Sequence, residues 1–252
     1  MSARKPLMAG NWKMFKTPAQ TAEFFEKFLP LVSASTHADV LICPPFVDLA
    51  AAVSAAAGSN VAVGAQNCFW ETKEGAFTGE VSAPMIKAAG CSAVIIGHSE
   101  RRQFFGETDA TVLKRTQAAL ASGLLPVVCV GERLEERESG KTEDVLRTQF
   151  TDGIAPLSAA DFAKIVIAYE PVWAIGTGKV ATPEMAADAH RCLRSLVEAK
   201  YGKDAAQAVR ILYGGSVKPD NVKGLMAQVD IDGSLVGGAS LDPVGFASIV
   251  NF

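Results

Sequence analysis

Short, nearly continuous apolar runs recur along the whole chain: Leu7–Gly10, Val40–Cys43, Val61–Ala65, Ala93–Ile96, Pro126–Val130, Ile165–Tyr169, Arg210–Tyr213 and Gly233–Val236. None shows the strict apolar–polar alternation of a strand with one wet face. Runs of this kind suit parallel strands covered on both sides. Between them lie helical patterns. Thr17 to Leu29 places Phe24, Phe25 and Phe28 on one face, and Asp109 to Ser122 is built from good helix formers. Pro183 to Tyr201 opens with Thr182 as a cap and Pro183 at the first helical position, and the last helix repeats that device with Asp242 and Pro243.

Eight strand–helix units in alternation imply a parallel sheet, and eight is the number that closes a barrel. The expected fold class is α/β, a single-domain (β/α)8 barrel spanning residues 1–252. A doubly wound open sheet is the competing architecture, but no Gly-rich GxGxxG turn follows the first apolar run. No linker or shift of composition divides the chain, and the units share no repeated motif, which excludes a solenoid.

A barrel of this kind places its chemistry at the C-terminal ends of its strands. The polar residues that follow the apolar runs are Asn11 and Lys13 after the first, and His98, Ser99 and Glu100 after the fourth. Glu170 follows the sixth, Ser216 the seventh, and Gly237–Gly238 the eighth. Glu170 reads as a general base or as a capping or ion-paired carboxylate. His98 reads as an acid–base group or as a core histidine, and Lys13 as a site cation or a solvated surface lysine. The segments Gly176-Thr177-Gly178, Gly214-Gly215-Ser216 and Gly237-Gly238 can turn backbone N–H groups towards phosphate, or can be ordinary tight turns. His37 and His190 sit in surface-like segments. No second or third ligand accompanies His98, so no metal site is expected.

Composition changes this picture little. Of 252 residues, 49% are hydrophobic and 20% charged, with a net charge of −3, so nucleic acid and membrane partners are not expected, while a locally positive site still admits an anionic substrate. Cys43, Cys68, Cys91, Cys129 and Cys192 are scattered without a CxxC pair, which reads as reduced thiols in a cytoplasmic protein. Met1 to Gly10 has no apolar signal-peptide core, and no stretch of about 18 apolar residues offers a membrane span.

Five strings carry a family resemblance. They are Ala9-Gly10-Asn11-Trp12-Lys13, Gly97-His98-Ser99-Glu100-Arg101-Arg102, the stretch from Ala168-Tyr169-Glu170-Pro171 to Gly178, Tyr213-Gly214-Gly215-Ser216, and Val236-Gly237-Gly238-Ala239-Ser240-Leu241. In this order and spacing the chain resembles the triosephosphate isomerases from its first strand to its last helix. The resemblance implies cofactor-free interconversion of dihydroxyacetone phosphate and glyceraldehyde 3-phosphate. It makes Glu170 the base, His98 the acid, and Lys13 and Asn11 the partners of the developing oxyanion. It counts Asn11, Trp12, Lys13, Gly176, Ser216, Gly237 and Gly238 as substrate-binding, with Ser99, Glu100, Cys129, Ile175 and Leu235 in support. Glu100 would fix Lys13, Cys129 would pack below Glu170, and Ile175 and Leu235 would wall the base and raise its pKa when the lid closes. Pro171 to Lys179 would be a lid hinged at Pro171–Val172 and at Lys179–Ala181. A helix starting near Ser99 would keep the His98 ring neutral. Phe77, Thr78 and Gly79 would insert into a second copy of the chain, giving a homodimer. Two rivals remain. A Schiff-base aldolase would need a lysine on an interior strand, and none appears late in the chain. A catalytically silent barrel that binds phosphate or serves surface display would have lost Glu170, His98 or Lys13.

Overall fold

The computed structural model describes residues 4–175 and 181–252. Its centre is a closed barrel of eight parallel strands in sequence order, β1 (Leu7–Asn11), β2 (Asp39–Cys43), β3 (Val61–Ala65), β4 (Ala93–Ile96), β5 (Leu125–Val130), β6 (Val166–Tyr169), β7 (Ile211–Tyr213) and β8 (Gly233–Val236). β1 closes the ring by pairing with β2 on one side and β8 on the other, with Ala9 opposite both Leu41 and Leu235.

The apolar runs do not alternate because both strand faces are buried, in two different cores. Leu7, Ala9, Leu41, Ala93, Ile95, Val127, Cys129, Ala168, Leu212 and Leu235 fill the barrel interior. Met8, Val40, Ile42, Val94, Ile96, Val128, Ile167 and Tyr213 face the helices. Each strand thus alternates between two apolar environments, the period-2 geometry of a pleated strand. Extending that parity past the strands decides what the barrel mouth contains. The inward set Leu7, Ala9 continues to Asn11, and Val166, Ala168 continues to Glu170. Val127, Cys129 leads to Gly131, and Leu212 leads to Gly214.

The outer layer begins with the helix Pro18–Val32, which buries Phe24, Phe25 and Phe28. Phe24 meets the Trp12 ring edge-on at 4.8 Å, and Phe28 stacks on Phe246 at 5.4 Å. This helix runs three residues beyond Leu29, through Pro30, because fully buried Val32 still packs against the core. The helix Pro183–Tyr201 is capped by the Thr182 hydroxyl accepting from the Met185 N–H and stops at Gly202, whose φ of 90° suits glycine. Asp242 caps the helix Pro243–Val250 through the Gly245 N–H. Short helices such as Leu49–Ala56 and Ala159–Phe162 carry no separate periodic signal, whereas the helix expected near Ser99 is present as Ser99–Phe104. The stretch between β3 and the helix Ala83–Ala88 contains Phe77, Thr78 and Gly79, all exposed.

At the N-terminal end of the barrel, buried Arg194 ties the starts of several strands. It bonds Asp230 at 2.9 Å, Asp232 at 2.7 Å and the Val209 carbonyl at 3.1 Å, and Asp232 in turn accepts the Ile211 N–H at 2.9 Å.

Candidate active site

Chemistry-bearing side chains converge at the opposite end. Asn11 is the last residue of β1 and points inward by parity. Its side-chain oxygen accepts the Lys13 N–H at 3.0 Å, which leaves the carboxamide NH2 as its free donor. That bond accompanies a left-handed Lys13 (φ 53°), an uncommon conformation for a side chain of this size. It turns Lys13 over the mouth, where Nζ lies 2.6 Å from Glu100 Oε1. A Cβ built on Gly237 would sit 3.5 Å from Lys13 Cε, so the cation also borders the turn after β8.

His98 caps the helix Ser99–Phe104. Its Nδ1 accepts the Glu100 N–H at 3.3 Å, and its Nε2 lies 3.0 Å from Glu170 Oε1. A lone pair on Nδ1 places the ring proton on Nε2, aimed at the carboxylate. Glu170 also accepts the Ser99 N–H and the Ser99 hydroxyl, each at 3.0 Å. It is 1% exposed. Its backbone is gripped between two glycines: a Cβ on Gly131 would lie 1.8 Å from its carbonyl oxygen, and one on Gly214 would lie 2.9 Å from its Cγ.

These contacts set how tightly each group holds its proton. Burial works to raise the Glu170 carboxyl, but His98 and the two Ser99 donors more than offset it, so its pKa lies below the ordinary carboxylate value rather than above it. Burial works to lower His98, but the Glu170 carboxylate more than offsets that, so the ring holds a proton more tightly than a free imidazole. The Glu100 N–H on Nδ1 still opposes a second ring proton. Both shifts therefore belong to the contacts of Glu170 with His98 and Ser99 and would vanish if Glu170 swung away. Cys129 packs under the pair, and its thiol is pushed well above the ordinary value by burial and then by the Glu170 carboxylate.

Asn11, Lys13, His98, Ile175, Ser216, Leu235, Gly237 and Gly238 all border one cavity of about 270 Å³. Glu170 and Ser99 instead border a second cavity of about 320 Å³ on the far flank of the base. Trp12 is a correction. Parity turns it outward from Asn11, its side chain is fully buried, and its indole N–H donates to the Ser240 carbonyl at 3.1 Å. It anchors the turn Gly238–Leu241 from behind and has no surface to offer a substrate through its ring. Gly176 and the far lid residues Thr177, Gly178 and Lys179 lie outside the described residues. Phe77, Thr78 and Gly79 stand outside the cavity.

Sequence reading missed Lys218, which borders the first cavity beside Ser216; its signal is a cation two residues after a Gly-Gly-Ser turn. It also missed Glu132, a fully buried carboxylate that accepts the Tyr169 hydroxyl at 3.0 Å and the Trp173 indole at 2.8 Å. Burial pushes its pKa up, with the Trp173, backbone and Tyr169 donors working against it. No motif marked it, since its hydrogen-bond donors Tyr169 and Trp173 come from β6 and the segment after it, and only Arg137, at 3.7 Å, comes from its own neighbourhood. Among the described residues no three His, Cys, Asp or Glu side chains cluster as metal ligands.

The arrangement is an imidazole and a lysine facing a cleft, with glycine-rich turns beside them and a buried carboxylate in contact with the imidazole. The triosephosphate isomerase family model matches residues 6–252. The chain belongs to the triosephosphate isomerase family. A triosephosphate isomerase of Solibacter usitatus is 70% identical over 249 residues, covering 99% of this chain and 100% of that one. One from Geobacter metallireducens is 55% identical, covering 99% of each chain. The crystal structure of triosephosphate isomerase from Bartonella henselae superposes with a TM-score of 0.88 at 39% identity, covering 98% of both chains. The chain is therefore an isomerase on a (β/α)8 barrel.

Proposed function

We propose that the chain interconverts dihydroxyacetone phosphate and glyceraldehyde 3-phosphate, with Glu170 carrying a proton between adjacent carbons through an enediolate. The observation that carries this assignment is the contact between Glu170, held by three donors, and His98, whose ring borders the cavity that Lys13 and Asn11 also line. A carboxylate so held is a weak base. Rotating from Ser99 and His98 into the cavity would exchange donors for the apolar walls of Leu235 and Ile175, which penalise the charged form and raise its pKa. The same motion would free the Nε2–H of His98 for the substrate oxygens. Lys13 and the Asn11 NH2 would then stabilise negative charge developing on the carbonyl oxygen. Ser216, Gly237 and Gly238 supply the phosphate seat, with the Gly176 N–H as a further donor. The substrate carbonyl already acidifies the neighbouring C–H, so the chemistry calls for no cofactor.

The reading predicts that Glu170→Gln, which keeps the shape but cannot take a proton, lowers kcat by at least about 10³ with little change in KM. A coupled assay with glyceraldehyde 3-phosphate measures this, and a variant retaining half of the normal kcat would overturn the role of Glu170. A catalytically silent barrel would leave unexplained why His98 and Lys13 face one cleft with Glu170 in contact with His98.

A homodimer is part of the same reading. Met14, Phe46, Val47, Phe77 and Phe105 are large apolar side chains left exposed. Met14, Phe46 and Phe105 also border a cavity that reaches Asn11, Lys13 and His98, a fitting socket for the Phe77-Thr78-Gly79 tip of a second copy. Thr78→Arg should give a monomer of low activity by sedimentation and assay; a fully active monomer of the unaltered chain would contradict it. All five cysteines are free, four of them buried, and no described helix is long and apolar enough to cross a membrane; both fit a cytoplasmic protein.

A further inference from the structure

The peptide that follows β5 is held in an unusual way. Val130 and Glu132 continue the ladder towards the segment after β6: the Val130 carbonyl accepts the Glu170 N–H at 2.8 Å, and the Glu132 carbonyl accepts the Val172 N–H at 3.1 Å. Between them Gly131 faces the other way, as alternate residues of a strand must. On that side β4 has ended, its last pair being Ile96 with Val128. Gly131 therefore has no strand to bond. Gln149, from the helix Thr142–Gly153, takes that place: its Oε1 accepts the Gly131 N–H at 2.7 Å and its Nε2 donates to the Gly131 carbonyl at 3.1 Å. One half-buried carboxamide satisfies both backbone groups of one residue, imitating a neighbouring strand. Gly131 in turn is the surface against which the backbone of Glu170 is fixed, with no room for a Cβ between them.

We propose that Gln149 is a positioning residue for the isomerisation, acting through Gly131 to set the backbone of Glu170 and the Pro171–Val172 segment that follows it. This rests on the assignment of Glu170 as base. A base displaced by a fraction of an ångström loses the near-attack geometry on which its rate depends, while substrate affinity, set by Lys13 and the phosphate seat, stays.

Gln149→Met keeps the length and the apolar stem but removes both hydrogen bonds. It lowers kcat by about tenfold or more per folded site and leaves KM within about twofold. Gln149→Glu tests the hydrogen-bond pattern itself. A protonated carboxyl presents one acceptor and one donor, as the amide does, whereas a carboxylate presents acceptors only and faces the Gly131 carbonyl with a lost donor. The ratio of kcat for Gln149→Glu to kcat for the unaltered chain therefore rises at least about threefold between pH 8 and pH 5.5, since a half-buried carboxyl titrates above its ordinary value of about 4.3. Arg102, Arg133, Glu136 and Glu170 border the same cavity; they are present in both proteins and cancel in the ratio. A role in stability alone would change the folded fraction and not this pH dependence. Gln149→Met within twofold of normal kcat overturns the proposal, as does a pH-independent ratio. Glu170→Gln is measured alongside. If it stays active the base assignment fails, whereas if it is inactive and Gln149→Met behaves normally, only the role of Gln149 fails.

Discussion

Buried carboxylates with cationic or imidazole partners occur at both ends of this barrel. At the N-terminal end, Arg194 spreads its donors over Asp230, Asp232 and backbone carbonyls, and Asp232 also holds the Ile211 N–H. Every group there is tied to the strand starts, and Asp232 and Ile211 belong to the frame itself. At the C-terminal end, Glu170 has just as many donors, but they come from one short turn, His98 and Ser99, and a cleft of about 270 Å³ lies beside them. The two clusters look alike in charge and burial. They differ in whether a carboxylate can exchange its partners for another environment. A structural cluster has nowhere to go, while a catalytic one needs two places to stand.

The comparison is broken most severely by removing the fixed cation. Arg194→Met leaves buried Asp232 with Arg4 as its remaining cation, takes the close guanidinium from part-exposed Asp230 and orphans the Ala206 and Val209 carbonyls, and should cost about 3–5 kcal/mol of stability in denaturant unfolding. The kcat of the remaining folded protein should stay within about twofold. A variant as stable as the parent but slow in turnover would reverse the roles given to the two ends.

A smaller effect sharpens the contrast between two buried histidines. His190 packs near Arg194 with Nδ1 on the Asp230 carbonyl at 3.1 Å and no partner for Nε2. Burial lowers its pKa from 6.5 to about 4. The unfolded chain therefore binds a proton that the folded one refuses, so stability falls as pH drops from about 6.5 towards about 4. At about 1.4 kcal/mol per pH unit this amounts to roughly 3 kcal/mol at most. His190→Asn keeps a donor for Asp230 but cannot charge, and should remove a slope of that size from stability measured between pH 7 and pH 4.5. His98 has the opposite sign. Its pKa is raised while Glu170 touches it, so its contribution is complete below the ordinary imidazole value and is lost as pH rises through the folded one. An unchanged acid slope in His190→Asn would contradict its neutral burial.

The sequence made the barrel legible because parallel strands buried on both faces leave near-continuous apolar runs, and because Thr182-Pro183 and Asp242-Pro243 are local capping signals. It stopped the first helix at Leu29 because Pro30 forfeits a hydrogen bond, a local cost that the packing of Val32 outweighs. Asn11, Lys13, His98 and Glu170 were visible since strand ends can be read along the chain. What could not be read was the direction of each side chain relative to its neighbours. Trp12 lies between two cleft residues and faces the other way. Ser99 was visible as a site residue but its grip on the carboxylate was not; that grip, like the roles of Gln149 and Glu132, depends on distances between segments that no motif contains. The low pKa of Glu170 in this state follows from those distances as well.

The central claim is that Glu170 moves a proton, and hydrogen exchange with solvent tests it most directly. Glyceraldehyde 3-phosphate is converted in deuterated water, and deuterium at the carbon of dihydroxyacetone phosphate that gains hydrogen is measured by NMR at low conversion. A proton resting on a carboxyl can exchange before it is returned, so a measurable fraction of the product should carry solvent deuterium. Arg194→Met should give the same fraction, and Glu170→Gln should lose labelling together with turnover. Product from the unaltered chain with no solvent deuterium, at undiminished turnover, would mean that the hydrogen travels without visiting an exchangeable base, and would contradict the account.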